Sequence, residues 1–319
     1  MSEFKVDVVR IREVEKHPNA DTLSICHIHS GYPVIFKTGD FHPGDLAVYI
    51  PVDALVPLED SRFAFLNGRT RIRASRLRGI FSMGLLIPAE ASWEEGQDVQ
   101  ELLKIKKYEP PEQVNMFTEN EHCPFVFPNY TDIAGLRRWP DILQDGEPVI
   151  ITEKIHGTNA KYMWRNQRLW VGSHNTVKKE DSQNLWWRVA HDYNLTSKLQ
   201  HYPDTVFYGE IYGWVQNLRY GHSQGKVSLV LFDALDLLGA GWHCNPSYIF
   251  DELELPRAPV LYFGPWNKEL VKYAEGNTTV SGANHVREGF VVKPMIERFD
   301  DRIGRVILKY HGEGYLLKN

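Results

Sequence analysis

Cysteine is scarce: the 319 residues contain only Cys26, Cys123 and Cys244, far apart in the chain. An odd and dispersed set excludes a disulfide framework or a zinc ribbon as the organising feature, and suits a reducing compartment. No apolar run approaches the roughly 18 residues that a membrane span requires. The opening MSEFKVDVVR likewise lacks an apolar signal core. A soluble, intracellular protein, cytoplasmic or nuclear, is therefore expected. Neither sign of charge dominates: 36 Lys+Arg stand against 41 Asp+Glu, a formal net charge of −5. That excludes a generic polyanion binder but leaves room for local patches. Internal repeats and low-complexity tracts are missing too. What remains is an ordinary globular composition, 43% apolar and 24% charged, in a chain long enough for two domains of roughly 150 residues.

The first hundred residues read as short strands between frequent turns. Residues 4–11 and 22–29 alternate around the turn His17-Pro18-Asn19-Ala20-Asp21, and further strands are expected at 34–36, 46–51 and 84–88. Short strands at this spacing predict a small β-barrel or sandwich. Residues 104–130, with Pro110-Pro111 and little periodicity, predict a linker. Beyond it the pattern is mixed. An apolar strand at 149–153 is followed by a hairpin about Asn166-Gln167, with one helix at 185–199 and strands at 206–208, 228–232, 260–263, 290–293 and 306–309. Strands outnumber helices without regular helical crossovers, so the class is α+β with largely antiparallel sheets.

One stretch carries chemistry: Glu153-Lys154-Ile155-His156-Gly157-Thr158-Asn159, directly after an apolar strand. A lysine at a strand end, before a glycine that permits a tight turn, places an amine at the mouth of a pocket. In a partly desolvated, cation-rich site such an amine loses its proton more readily and becomes a nucleophile. Taken alone, KxxG is better read as an exposed loop lysine.

EKIHGTN resembles motif I of the covalent nucleotidyltransferases, in the form used by nick-sealing RNA ligases. The resemblance continues in order. FYGEIYGWVQNLRYG (207–221) resembles motif III with its extension, LVLFDAL (229–235) motif IIIa, EGFVVKP (288–294) motif IV and VILKY (306–310) motif V. The run HPNADTLSIC resembles the opening of an OB-fold of the tRNA-binding type, and together these point to ATP-dependent RNA ligases with an N-terminal OB-like domain. The resemblance implies an OB-like nucleic-acid-binding domain at 1–105, a linker at 106–130, and a nucleotidyltransferase domain of antiparallel sheets flanked by helices at 131–319.

The resemblance also assigns roles. Lys154 attacks the α-phosphorus of ATP and holds AMP through a P–N bond. Glu153 sits beside the adenine, Asn159 near the phosphates, Glu210 on the ribose hydroxyls, and Phe232 against the adenine face. Glu288 holds a divalent metal, Mg²⁺ or Mn²⁺, because a hard cation prefers carboxylate oxygen. Lys293 and Lys309 bring positive charge to the phosphate and depress the pKa of Lys154. Each residue also has a plainer reading: Phe232 as core, Glu210 as surface, the lysines as solvated strand ends. The implied partner is a nicked duplex with RNA on its 3′-OH side.

Departures matter as well. Motif Ia usually supplies an arginine, but residues 170–179, WVGSHNTVKK, contain none, so its contact falls to His174, Lys178 or Lys179. Motif V often has a second lysine where Ile307 stands here. Arg137, beside Arg138, lies where related enzymes have a basic contact for the nick phosphate. Independently, residues 62–78 contain Arg62, Arg69, Arg71, Arg73, Arg76 and Arg78 with no acid among them. Such a stretch is either a phosphate-binding footprint centred on Arg69, Arg71 and Arg73, or a solvated loop paired with acids elsewhere. His17, Cys26, His27 and His29 match no zinc spacing. Two alternatives stand beside this reading. One is another nucleotidyltransferase, a DNA ligase or capping enzyme, which is expected to need a further domain after motif V where only ten residues follow Lys309 here. The other is an RNA-binding protein with a degenerate ligase domain.

Overall fold

The computed structural model describes residues 4–109, 119–239 and 241–318. The chain divides into two compact units. The first comprises 4–109 with 134–142 and 313–318, and the second 119–133 with 143–312.

In the first unit, β1 (Asp7–Arg10) pairs antiparallel with a later strand, Leu46–Ile50, which pairs in turn with Leu85–Pro88. Between them in sequence, β2 (Leu23–Ile28) and β3 (Tyr32–Lys37) form an antiparallel hairpin; Leu46–Ile50 and Leu85–Pro88 are accordingly β4 and β5. Alternation along β1 and β4 sends Val8, Val48 and Ile50 into a cluster with Phe63 and Trp93. Their neighbours Val9, Ala47 and Tyr49 enter a second cluster with Cys26, Val34 and Phe36. The sheet is thus buried on both faces, as period-two strands between two apolar layers require. His17 is a buried turn residue, its Nε2 3.0 Å from the Leu77 carbonyl and its Nδ1 accepting the Asn19 amide.

The second unit has two antiparallel sheets. In one, β6 (Pro148–Glu153) lies between Val260–Pro265 and Gly289–Pro294, and the latter also pairs with Leu308–His311. In the other, β7 (Gly157–Arg165) pairs with β8 (Arg168–Gly172) and with β9 (Thr205–Gly213), which pairs with β10 (Val227–Asp236). Val260–Pro265, Gly289–Pro294 and Leu308–His311 are β11, β12 and β13. The β7–β8 turn is the expected one: Asn166 and Gln167 have φ of 55° and 57°, the left-handed pair of a tight hairpin. Ala160, Tyr162, Phe207, Ile211 and Leu229 face a core with the helices, while Asn159, Glu210 and Val230 face the opposite way into a cavity.

The single helix expected at 185–199 is two: α1 (Leu185–Asp192), capped by the Asn184 side chain, and α2 (Leu195–Leu199). Asn194 at φ 51° breaks them, because a left-handed residue cannot continue a right-handed helix. The strand expected at 306–309 lies at Leu308–His311 instead. Of the segment expected as a linker, Lys106–Lys107 pair with Ala54–Leu55, residues 110–118 lie outside the described residues, and 119–130 pack within the second unit. Phe127 and Tyr130 are buried there. Two aromatic anchors amid prolines leave no periodicity to read.

Candidate active site

The strand β6 hands Lys154 into the cavity. The Glu153 amide donates to the Pro259 carbonyl (2.8 Å) and the Lys154 amide to the Gly289 carbonyl (3.0 Å), so the backbone at Lys154 is held from two neighbours. Gly157 then begins β7. Its role differs from the tight turn expected of it: a Cβ there would lie 2.0 Å from the Ile211 carbonyl oxygen, so glycine is needed for close approach of β7 to β9. The cavity, about 880 Å³ counting space open to solvent, is lined by Lys154, Asn159, Glu210, Phe232 and Lys293, with an apolar wall of Ile150, Val230 and Val291. That pairing of apolar wall and few convergent polar groups is the usual character of a small-ligand site.

Lys154 Nζ lies 2.8 Å from Glu288 Oε1, a carboxylate that is itself not among the residues lining the cavity. His156 Nδ1 approaches Glu288 Oε2 at 3.4 Å and His311 Nε2 approaches Oε1 at 3.3 Å. Burial would raise the Glu288 pKa, but the Lys154 ammonium and the two imidazoles outweigh it and hold the carboxyl well below the usual range. Burial would likewise lower the Lys154 pKa, yet Glu288 and then Glu210 outweigh it, so the amine is held above its ordinary value. This corrects the expectation that lysines depress it: the carboxylates Glu288 and Glu210 set the direction. For Glu210 burial wins, and Glu288 adds to it against the attraction of Lys154, pushing the carboxyl up to about 7. Asn159 sits directly opposite Glu210 in the β7–β9 ladder, and its Oδ1 is buried without a hydrogen-bond partner.

Phe232 reaches the cavity through a β-bulge. Tyr208 pairs with Asp233 and Gly209 with Leu231, leaving Phe232 as the extra residue. Two consecutive side chains, Phe232 and Asp233, therefore face the same way, as bulges allow. Phe232 stands edge-on to Tyr130, ring centroids 4.9 Å apart. Asp233 is fully buried and gathers Lys293 Nζ (3.0 Å), Arg305 NH1 (2.9 Å) and the Tyr130 hydroxyl (2.8 Å). Lys293 is thus tied to Asp233 at the cavity wall and also donates to the His243 carbonyl. Lys309 stands opposite Val291, on the face that Val291 shares with Thr152. Glu153 is 2% exposed, and both its oxygens are engaged, by the Thr278 hydroxyl and by the Thr279 amide (2.8 Å) and hydroxyl (2.6 Å). Asp233, Arg305, His311 and the Thr278-Thr279 pair went unread in the sequence; an aspartate after a phenylalanine in an apolar strand was the one visible signal.

Two candidates for the missing motif Ia arginine have side chains engaged elsewhere: Lys178 lies over the Trp186 ring (4.7 Å) and donates to Asn120, and Lys179 pairs with Glu119. At His174 the backbone carbonyl accepts from Lys161. In the first unit the arginine stretch is partly compensated. Arg62 pairs with Asp60 and Glu90, Arg76 with Glu313, and Arg71 with Asp53 while lying 3.8 Å over the Tyr108 ring. Arg69, Arg73 and Arg78 are exposed. Arg137 is half-buried, its guanidinium 5.9 Å from the Phe81 ring centroid and NH1 donating to the Gly31 carbonyl. Among the described residues, no three His, Cys, Asp or Glu side chains cluster as a metal cage, and no helix is long and apolar enough to cross a membrane.

The RNA ligase family model matches residues 147–311, and an OB-fold domain model matches residues 5–89. The chain is similar over its length to solved structures of Naegleria gruberi RNA ligase. A lysine-to-methionine mutant with AMP and Mn gives a TM-score of 0.84 at 24% identity, covering 99% of both chains. The enzyme with PPi gives 0.82 at 25% identity, covering 98% of both. Among curated proteins, the phenylalanine–tRNA ligase beta subunit of Syntrophus aciditrophicus is 32% identical over 88 residues, and that of Burkholderia pseudomallei 28% over 177. The matches take in 27% and 47% of this chain but span only 10% and 20% of those relatives.

Proposed function

Because the chain belongs to the RNA ligase family, we propose that it is an ATP-dependent RNA ligase that seals 3′-OH/5′-phosphate breaks through a lysyl-AMP intermediate. The observation that carries this reading is the placement of Lys154, Asn159, Glu210 and Phe232 around one cavity with an apolar wall. Lys154 Nζ loses its proton and attacks the α-phosphorus; the P–N bond forms as the P–O bond to pyrophosphate breaks. AMP passes to a 5′-phosphate, and a 3′-OH then displaces it. Phe232 offers a face to the base, Glu210 acceptors for ribose hydroxyls, and Asn159 an unpaired amide oxygen. Lys309 supplies charge for the phosphates, and Lys293 contributes by holding Asp233 and the wall.

A divalent cation, Mg²⁺ or Mn²⁺, fits beside Glu288, a buried carboxylate that stays ionised. When bound, it supplies positive charge to phosphate oxygens and competes with the Lys154 ammonium for that carboxylate. Ligases solved with ATP and Mn share the fold.

The substrate is a nicked duplex with RNA on the 3′-OH side, and the first unit grips its backbone through Arg69 and Arg73, with Arg137 as a further basic contact. A sealing assay on nicked duplexes with RNA or DNA on each side tests this. Sealing should require RNA at the 3′-OH side, and equal sealing of an all-DNA nick would overturn the substrate assignment.

A further inference from the structure

The backbone that aims Lys154 is anchored at both ends. Its own amide is bonded to the Gly289 carbonyl, and Gly157 is pressed against the Ile211 carbonyl. Residues 155 and 156 lie between these anchors, and the segment 216–220 holds them. The His156 amide donates to the Tyr220 hydroxyl at 2.8 Å. Asn217 Oδ1 lies 2.7 Å from His156 Nε2, and Gln216 Nε2 donates to the Gly157 carbonyl. Ile155 packs in one cluster with Tyr212, Tyr220 and Val230.

Tyr220 is built for this place. It is 2% exposed, and its ring stands edge-on to Tyr212 (5.0 Å) and to His285 (4.5 Å). Its φ is 51°, a left-handed conformation that a bulky aromatic seldom adopts and that persists only where the surroundings impose it. Such strain concentrates at working sites. Burial raises the phenol's pKa, so the oxygen meets the amide as a neutral acceptor.

We propose that Tyr220 is a positioning residue for nucleotidyl transfer: through the His156 amide it fixes the turn that carries Lys154 into the cavity and His156 onto Glu288. This rests on reading Lys154 as the nucleophile. Tyr220 touches no substrate; it acts through the turn.

The test is single-turnover self-labelling with α-labelled ATP and a divalent metal, comparing wild type with Tyr220→Phe, Tyr202→Phe and Lys154→Ala. Tyr220→Phe keeps the ring and loses the acceptor. Its rate constant should fall about tenfold or more at full labelling amplitude, because a small misplacement of a reacting group is costly. KM for ATP should stay within about twofold, since binding contacts are intact. Tyr202→Phe loses a hydroxyl bond to Glu252 at 2.8 Å remote from the turn and should label at the wild-type rate. An unchanged rate in Tyr220→Phe, an equal fall in Tyr202→Phe, or reduced amplitude at unchanged rate would overturn the proposal. Should Tyr220→Phe fail to fold, Asn217→Ala, an exposed position, carries the test: a slower rate supports it and an unchanged rate overturns it. Labelling of Lys154→Ala would instead sink the nucleophile assignment, a separate failure.

Discussion

Between Lys154 and Glu288 a 2.8 Å ion pair outweighs desolvation on both sides. Glu288→Gln should therefore lower the Lys154 pKa in the metal-free protein, measurable by the pH dependence of its reductive methylation; a rise would contradict the pairing. The linkage has two signs. A depressed Glu288 stabilises the fold above the ordinary carboxylate range, and that contribution is lost as pH falls through its folded pKa. A raised Lys154 stabilises below the ordinary lysine value, and its contribution is lost as pH rises through the raised value. The stability difference between wild type and Glu288→Gln should accordingly be present at neutral pH and vanish in strong acid. Glu210 behaves oppositely: pushed up to about 7, it is largely protonated below neutrality. Adenosine, which has no titrating phosphate, should bind more tightly as pH rises through about 7, and Glu210→Gln should flatten that profile. That Lys154, Glu210 and Glu288 come close together was legible because each stands in an ordered motif. The direction of the Lys154 shift was not, since it depends on which charge is nearer.

Among the elements, the bulge in β10 decides the cavity wall. It turns Phe232 and Asp233 to one side, and Asp233 collects two buried cations and the Tyr130 hydroxyl. Removing one partner of a buried pair leaves an uncompensated charge, so Asp233→Ala should cost about 3–5 kcal/mol, read as a large fall in Tm. Lys309→Ala, at a half-buried strand position, should slow labelling while leaving Tm nearly unchanged. Equal Tm losses would make Lys309 structural too. Strands and the Asn166-Gln167 hairpin were legible from alternation and turn chemistry. The bulge was not, because it exists only in the register between two strands. The break at Asn194 was missed because the apolar period runs through it.

For the whole molecule, an acidic chain presents exposed Arg69, Arg73 and Arg78 in its first unit, while Arg62, Arg71 and Arg76 are matched by acids. Acid-free sequence was therefore only half the story: Asp53, Asp60, Glu90 and Glu313 lie outside the stretch. Arg69→Ala with Arg73→Ala should weaken binding to a nicked duplex and reduce its salt slope by roughly one for each phosphate no longer neutralised. Self-labelling should persist. An unchanged salt slope would remove the patch from the nucleic-acid surface. Two domains were expected from chain length, but the sequence carried no signal for 134–142 and 313–318 joining the first unit, and the packing of 119–130 rests on Phe127 and Tyr130, two aromatics without a period. The central claim, that Lys154 is the group to which AMP becomes attached, is tested most directly by mapping the adduct. After incubation with ATP and a divalent metal, peptide mass spectrometry should place a single AMP on Lys154. AMP on another residue, or equal labelling of Lys154→Ala, would contradict the account.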